Sequence, residues 1–378
     1  MTEIFKAAIQ RGASDIHLKS GDVVRARIHG KLVPLTQQRM SHDQVRGLAM
    51  KLIPRESDRA GIDDLTDYDC SWGLSGLGRF RVNILRQRGT LMIVMRVIPF
   101  DVPTLEELRL PSVLEKVAER ERGLVLVTGV TGSGKSSTMA AMVHHLNERV
   151  SKHIVTLENP IEFLHRDQKS SITQRDVGTD TLDFTQGLRA ALRQDPDVIL
   201  IGEMRDTETI DTALKAAETG HLVISTVHTQ DAVQTISRLV AVFNRSEQEM
   251  VRIRLSETLQ AVISQRLLPR KDRKGRVVAC EVMLATGTIR DCIRDPDRMP
   301  EIPELIEEGR DHYGSQTFDQ HLTDLVKEDL VEFDVAKAAA SNPSDFDLKL
   351  NFLGEGRTTT GDPAASTAPD PSAFEREL

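Results

Sequence analysis

Between Gly129 and Ser136 the chain reads GVTGSGKS, a match to GxxxxGK[ST]. The match follows the apolar run LVLVT and precedes a helical stretch, the context a phosphate-binding loop requires. Gly129, Gly132 and Gly134 let the backbone curl so that its N–H groups point at phosphate oxygens. The start of the next helix adds positive potential. Lys135 can reach the β- and γ-phosphates of a nucleotide, and the Ser136 hydroxyl can ligate Mg²⁺. A glycine-rich loop that matches by chance lacks this strand–loop–helix setting.

Four further segments carry candidate chemistry. In DPDVILIGEMRD, Asp195 to Asp206, an apolar strand delivers Glu203 at its C-terminal end. Gly202 stands where many P-loop enzymes have the magnesium aspartate, which leaves Glu203 to handle the metal through water. In TLENPIEFLH, Thr156 to His165, a strand end is followed by Glu158 and Glu162. Hydrolysis needs a carboxylate to orient and deprotonate water, worth ~10²–10⁴-fold, and either glutamate meets that need on spacing. In ETGHLVISTVHT, His221 and His228 stand at the two ends of one strand-like run. No Cys or carboxylate cluster accompanies them, so they read as hydrogen-bonding sensors of the γ-phosphate rather than as metal ligands. Arg79, Arg81 and Arg96 read either as a solvated sheet face or as arginine fingers. The basic run RLLPRKDRKGR, Arg266 to Arg276, has no aromatic residue and reads as a solvated hairpin rather than a nucleic-acid site.

The surrounding text predicts the elements that position these residues. Residues 1 to about 100 read as a small α/β unit: a helix ending near Gly12, then SDIHLKSG, VRARIHGKLVPL, SWGLSGLGRFRVNILRQRG and TLMIVMRVIP as antiparallel hairpins, with one amphipathic helix over 41–60. The prolines of PFDVP and LRLP mark a linker over 99–111. From Ser112 apolar strands alternate with helices (VLEKVAERERG, LVLVTG, KSSTMAAMVHHLNER, HIVTLE, DVILIG, HLVISTVH), the pattern of a parallel sheet wrapped by helices. Helical text dominates 232–265 and 303–340. The tail from Gly356, rich in Thr, Ala, Pro and Asp, has too little apolar surface to pack and is expected to be disordered.

Composition narrows the function classes. At roughly 100–200 residues per domain, 378 residues predict about two domains. A net charge of −8 and an aromatic content of 4% argue against a general nucleic-acid binder and against base-stacking platforms. No apolar run approaches the ~18–20 residues of a membrane span, and the N-terminus lacks a signal-peptide stretch. Cys70, Cys280 and Cys292 are an odd number without a CxxC, which predicts a reducing compartment and no disulfide scaffold.

In this order and spacing, GVTGSGKS, TLENPIEF, RQDPDVILIGEMRD and ETGHLVISTVHT resemble the secretion-type AAA-like ATPases of type IV pili and type II/IV secretion. GASDIHL, RFRVN and TFDQHLTDLV narrow the resemblance, over roughly residues 1–353, to the PilT-like retraction group. The resemblance implies an α/β fold: a PAS-like N-terminal domain (1–98), a linker (99–111) and a RecA-like P-loop ATPase domain with a parallel sheet and C-terminal helices (112–355), followed by the tail (356–378). It implies a cytoplasmic homohexamer, peripheral to the inner membrane at the pilus base, that hydrolyses ATP with Mg²⁺ to drive pilus retraction and twitching. The implied partners are an inner-membrane pilus platform protein and a paralogous retraction ATPase, with no nucleic acid. Gly129 to Ser137 then form the phosphate loop, with Thr131, Ser133 and Ser137 joining the residues above. Glu162 becomes the general base and Glu203 the Walker B glutamate that shares the metal with Ser136. His221 and His228 bound the His box, and Arg81 and Arg96 match the first domain's arginine positions. Two departures stand out: Asn159 replaces the usual Asp of EDPIE, and the AIRNLI motif reads TIRDCI, keeping Ile289 and Arg290. A PilU-like accessory role, a nucleic-acid translocase on the same core and a non-hydrolysing ring subunit are the alternatives.

Overall fold

The computed structural model describes residues 1–74, 78–98, 101–272 and 275–348. The tail from Gly356, for which the composition predicts disorder, lies outside the described residues, as do Pro99 and Phe100 of the linker.

The first sheet is antiparallel throughout, in the order β3-β2-β1-β6-β5-β4. Its strands are β1 (Ala13–Lys19), β2 (Val23–Ile28), β3 (Lys31–Arg39), β4 (Asp67–Leu74), β5 (Gly78–Gln87) and β6 (Thr90–Ile98). Period-2 alternation gives the sheet two unlike faces. Ile16, Leu18, Phe80, Val82, Ile84, Ile93 and Met95 pack under α1 (Thr2–Gln10) and α2 (His42–Leu52), against Phe5, Val45, Leu48 and Leu52. The opposite face carries Asp15, Ser71, Arg79, Arg81 and Arg96. The single helix expected over 41–60 is two: α2 starts at a Ser41–Gln44 capping box and ends at Leu52, and α3 covers Glu56–Ala60. Pro54 is the cause, because the residue before a proline is driven out of the α region, and Ile53 is extended at ψ 118.

The second sheet has seven strands in the order β13-β12-β7-β11-β10-β8-β9. They are β7 (Gly123–Thr128), β8 (His153–Glu158), β9 (Ser171–Asp176), β10 (Val198–Ile201), β11 (Leu222–Val227), β12 (Leu259–Pro269) and β13 (Arg276–Leu284). All pairs are parallel except β12–β13. One face is covered by α4 (Val113–Ala118) and α5 (Lys135–Arg149). The other is covered by α6 (Phe184–Ala191), α7 (Thr207–Glu218), α8 (Ala232–Ala241), α9 (Gln248–Thr258) and α10 (Gly287–Arg294). The expected helix over VLEKVAERERG is shorter than its text, stopping at Ala118. The helical reading of 232–265 fails after Thr258: residues 259–265 belong to β12, buried between β7 and β13. Sheet interiors take near-continuous apolar runs, which periodicity cannot tell from buried helix.

Beyond β13 the chain forms a 3₁₀ turn (Pro296–Glu301) and the helices α11 (Ile302–Glu308), α12 (Arg310–Tyr313), α13 (Phe318–Lys327) and α14 (Phe333–Ala339). Helix α13 packs on the β12–β13 hairpin, where Arg266 lies 3.8 Å over the Phe318 ring. Arg290 of the TIRDCI segment caps α9, donating to the carbonyls of Ser256 and Glu257. The two sheets meet where Arg79 Nη2 donates to Asp176 Oδ2 at 2.7 Å and the Ser71 hydroxyl donates to the same oxygen. No helix of the described residues is long and apolar enough to cross a membrane.

Candidate active site

The C-terminal ends of β7, β8, β10 and β11 open onto a cleft of about 770 Å³ whose opposite wall comes from the first sheet. Ligands of open parallel sheets bind at this end of the strands, and the volume is in the range of small-molecule sites. Strand β7 is buried along its length and ends in the glycine loop. Gly129, Gly132 and Gly134 have φ of 141°, 80° and 96°, which side chains with a Cβ rarely adopt. At Gly129 a Cβ would also stand 2.5 Å from Ser133 Oγ and 2.6 Å from the Gln265 carbonyl. Helix α5 begins at Lys135 without a side-chain cap, so its first N–H groups remain available to an anion.

Lys135 is 8% exposed, and its Nζ donates to the carbonyls of Gly129 (2.9 Å) and Val130 (3.0 Å). Burial lowers its pKa, and the negative charges of Glu162 and Glu203 act the other way. Thr131, Gly132, Gly134, Ser136 and Ser137 line the cleft with it. Ser133 does not: its hydroxyl is buried, without a hydrogen-bond partner among the described residues.

Glu203, just past β10, faces Arg205 Nη2 at 2.7 Å and His228 Nε2 at 3.6 Å. Burial and the charge of Lys135 lower the His228 pKa, with Glu203 opposing. Ser136 and Glu203 therefore present a hydroxyl and a carboxylate to one cleft, hard oxygen donors that fit Mg²⁺. Among the described residues no three His, Cys, Asp or Glu cluster as a metal cage.

The two glutamates of TLENPIEFLH differ. Glu158 Oε1 accepts from Thr156 Oγ1 (2.7 Å) and Gln174 Nε2 (3.1 Å), and burial raises its pKa. Glu162 is exposed in the cleft wall, and among the described residues its carboxylate makes no hydrogen bond or ion pair. Glu158 is engaged in holding the loop, whereas Glu162 is free to bind water.

The structure does not bring all the predicted residues together. His228 lines the cleft, but His221 does not. The six residues of β11 lie between them, seven steps that span ~23 Å at ~3.3 Å per residue. His221 sits at the far end of the sheet, where its carbonyl accepts from the Gly123 N–H and its Nδ1 faces the Ala216 carbonyl at 3.0 Å. Its placement is that of a strand-entry residue, and the expectation that it senses the γ-phosphate is corrected. Arg81 and Arg96 are cross-strand partners on β5 and β6, and both line the cleft of their own chain. Arg96 Nε also donates to Asp15 at 3.0 Å. Arg79 is turned away to Asp176. Arg276, part of the run read as a solvated hairpin, lines the cleft with Leu267. Only the β12–β13 register could have revealed this, since spacing alone gives no sign of it.

The sequence matches the family described as Type II/IV secretion system protein over residues 1–318. The chain belongs to that family. This secretion-family chain is 44% identical over 346 residues to the type IV pilus retraction ATPase PilT of Pseudomonas aeruginosa, covering 92% of the chain and 99% of the relative. It is 44% identical over 335 residues to the twitching motility protein of Neisseria gonorrhoeae (87% and 89% covered). It is 36% identical over 355 residues to the type IV pilus ATPase PilU of P. aeruginosa (93% and 92% covered). Among solved structures, that of the pilus retraction motor PilT with bound ADP superposes with a TM-score of 0.83 at 42% identity, covering 92% of this chain and 99% of that one. The secretion-family chain is thus a P-loop ATPase, with an N-terminal domain set against an ATPase domain built on a parallel-strand sheet.

Proposed function

We propose that the protein is a homohexameric motor that hydrolyses ATP to drive type IV pilus retraction and twitching, working at the cytoplasmic face of the inner membrane against a pilus platform protein. The observation that carries this reading is the cleft with two walls. The phosphate loop belongs to the second sheet, and Arg81 and Arg96 belong to the first. A nucleotide held there is gripped by both sheets, so its hydrolysis acts on their relative position.

The chemistry follows from the groups present. Glu162 orients a water molecule and takes its proton. The water oxygen bonds to the γ-phosphorus as the bond to the β–γ bridging oxygen breaks, giving ADP and phosphate. Lys135, the N–H groups at the start of α5, Arg81 and Arg96 offset the charge on the transferred group. Ser136, and Glu203 through water, would hold Mg²⁺, which supplies further charge neutralisation when bound. His228, kept largely neutral by burial and Lys135, offers a hydrogen bond to the γ-phosphate and reports its presence to Glu203.

Deletion of the gene with surface-pilus counting tests the direction of work. Excess pili and loss of twitching are the expected outcome, and bald cells would reverse the assignment to assembly. The PilU-like accessory role draws on the TIRDCI departure. It predicts that the purified protein restores twitching only when a second retraction ATPase is present.

A further inference from the structure

Strand β13 is buried along almost its whole length, yet one of its residues is a glutamate. Glu281 is 8% exposed, and burial pushes its carboxyl up to about 7, with Asp231 acting in the same direction and the hydrogen bonds from Ala232 and Ser264, then the charge of Arg266, opposing. A buried carboxyl is costly unless it is fully used. Its uses form one row across the sheet. The register sets Thr128 of β7 beside Ser264 of β12, and Ser264 beside Glu281 of β13. One step back, the same three strands present Leu126, Val262 and Met283, all apolar. The polar row is a chain of donors ending on one acceptor. Thr128 Oγ1 donates to Ser264 Oγ at 3.0 Å, and Ser264 Oγ donates to Glu281 Oε1 at 3.3 Å. The Ala232 N–H, at the first turn of α8, donates to the same oxygen at 2.8 Å.

The two ends of this row matter. Thr128 is the last residue before Gly129 of the phosphate loop. Ala232 follows His228 by four residues, and the intervening turn is short and stiff: Thr229 and Thr235 hydroxyls lie 2.6 Å apart, and Asp231 caps α8 through the Gln234 N–H. A shift of Ala232 therefore moves His228. We propose that Glu281 is a positioning residue for ATP hydrolysis, tying the root of the phosphate loop to the start of α8 and so fixing His228 against Glu203. The acceptor oxygen does this, not the charge. A neutral carboxyl keeps Oε1 as an acceptor, and the glutamine amide oxygen copies it.

The inference rests on the reading of the cleft as an ATP-hydrolysing site with His228 in it, and the experiment separates the two. ATP turnover and nucleotide affinity are measured for the full chain, for Glu281→Met, Glu281→Gln and His228→Ala, and for Glu281→Met combined with His228→Ala. Glu281→Met should lower kcat about tenfold or more with nucleotide Kd changed less than threefold. Glu281→Gln should recover most of that loss. In the His228→Ala background, Glu281→Met should cost little further, because its effect passes through His228. Equal losses with and without His228, or wild-type kcat in Glu281→Met, would overturn the proposal. An inactive wild-type chain would instead overturn the reading of the cleft. If Glu281→Met does not fold, Ser264→Ala interrupts the same row and faces the same test. Its kcat should fall about threefold or more, and only in the presence of His228.

Discussion

Replacing Asp176 by asparagine tests how the two walls of the cleft are held together. The carboxylate lies on β9, and its side chain is 3% exposed, while that of Arg79 is 21% exposed. Asparagine keeps the shape, keeps an oxygen for the Ser71 hydroxyl and leaves the backbone N–H of residue 176 bonded to Asp180. What it removes is the negative charge opposite Arg79, whose Nε has no hydrogen-bond partner among the described residues. Breaking a buried pair from one side costs about 3–5 kcal/mol, and an exposed pair is worth under about 1 kcal/mol. One buried and one partly exposed partner place this pair between those limits, at about 2 kcal/mol. At 1.36 kcal/mol per decade that is roughly a 30-fold shift away from the docked arrangement of the sheets.

Docking is also what brings Arg81 into the cleft, since Arg81 follows Arg79 by two residues and shares its face of β5. Asp176→Asn should therefore lower ATP turnover by up to ~30-fold. Nucleotide binding to the phosphate loop should change little, and the melting of the ATPase core should stay near wild type. Steady-state turnover, nucleotide Kd and thermal melts read the three quantities. A double-mutant cycle with Arg79→Ala should show strong non-additivity. Turnover within twofold of wild type in Asp176→Asn, with Arg81→Ala impaired in the same assay, would refute the argument that this pair delivers the arginines.

Lys135→Ala should abolish turnover, because the β- and γ-phosphates lose the cation of the loop; more than a tenth of wild-type activity would remove Lys135 from its role. Glu162→Ala should leave ATP binding nearly intact and slow hydrolysis by about 10²-fold or more. Glu158→Ala should do less to the chemical step, and a reversed order would make Glu158 the base. Arg81→Ala and Arg96→Ala should each lower turnover strongly without loss of ATP binding, by a factor up to the ~10³–10⁵ typical of arginine fingers. Because both arginines line their own chain's cleft, mixing either variant with Lys135→Ala should give no rescue; recovered activity would mean that they act across a subunit boundary.

The parts of this site that the sequence discloses are those whose backbone demands a residue type. Gly129, Gly132 and Gly134 are legible because positive φ admits little else, and Lys135 and Ser136 follow at fixed spacing. Glu203 is legible because a short apolar run ends at it. What depends on register between distant strands is not written locally. Arg276 and Glu281 come to the cleft and to its foundation only through the pairing of β13 with β12, and no motif marks either. His221 shows the converse: its place in a recurring pattern suggests chemistry, but a strand has two ends and only one faces the phosphates. The helix expected through 265 fails for a related reason, since Leu259 to Ile263 are apolar enough for a buried helix or a buried strand, and only the neighbours β7 and β13 decide.

The placement of Arg79 and Arg81 gives the proposed motor its lever. The two side chains leave the same face of β5, ~7 Å apart along the strand. One is held by Asp176 of the ATPase domain, and the other lines the cleft in which the proposed motor binds its nucleotide. In the proposed motor, a bound ATP would hold the first sheet at both points before hydrolysis. On that reading, loss of the γ-phosphate would weaken the anchor at Arg81 and leave that at Arg79, giving the sheet one fixed contact and one released. A body held at one point turns rather than separates. The change in attraction is confined to the cleft side, so the direction of turning is set by which side of Asp176 the phosphate occupies. Removing the Asp176 anchor should therefore uncouple hydrolysis from movement before it abolishes hydrolysis. Asp176→Asn should accordingly abolish pilus retraction while leaving measurable turnover, and loss of both in equal proportion in Asp176→Asn cells would speak against a pivot at this residue.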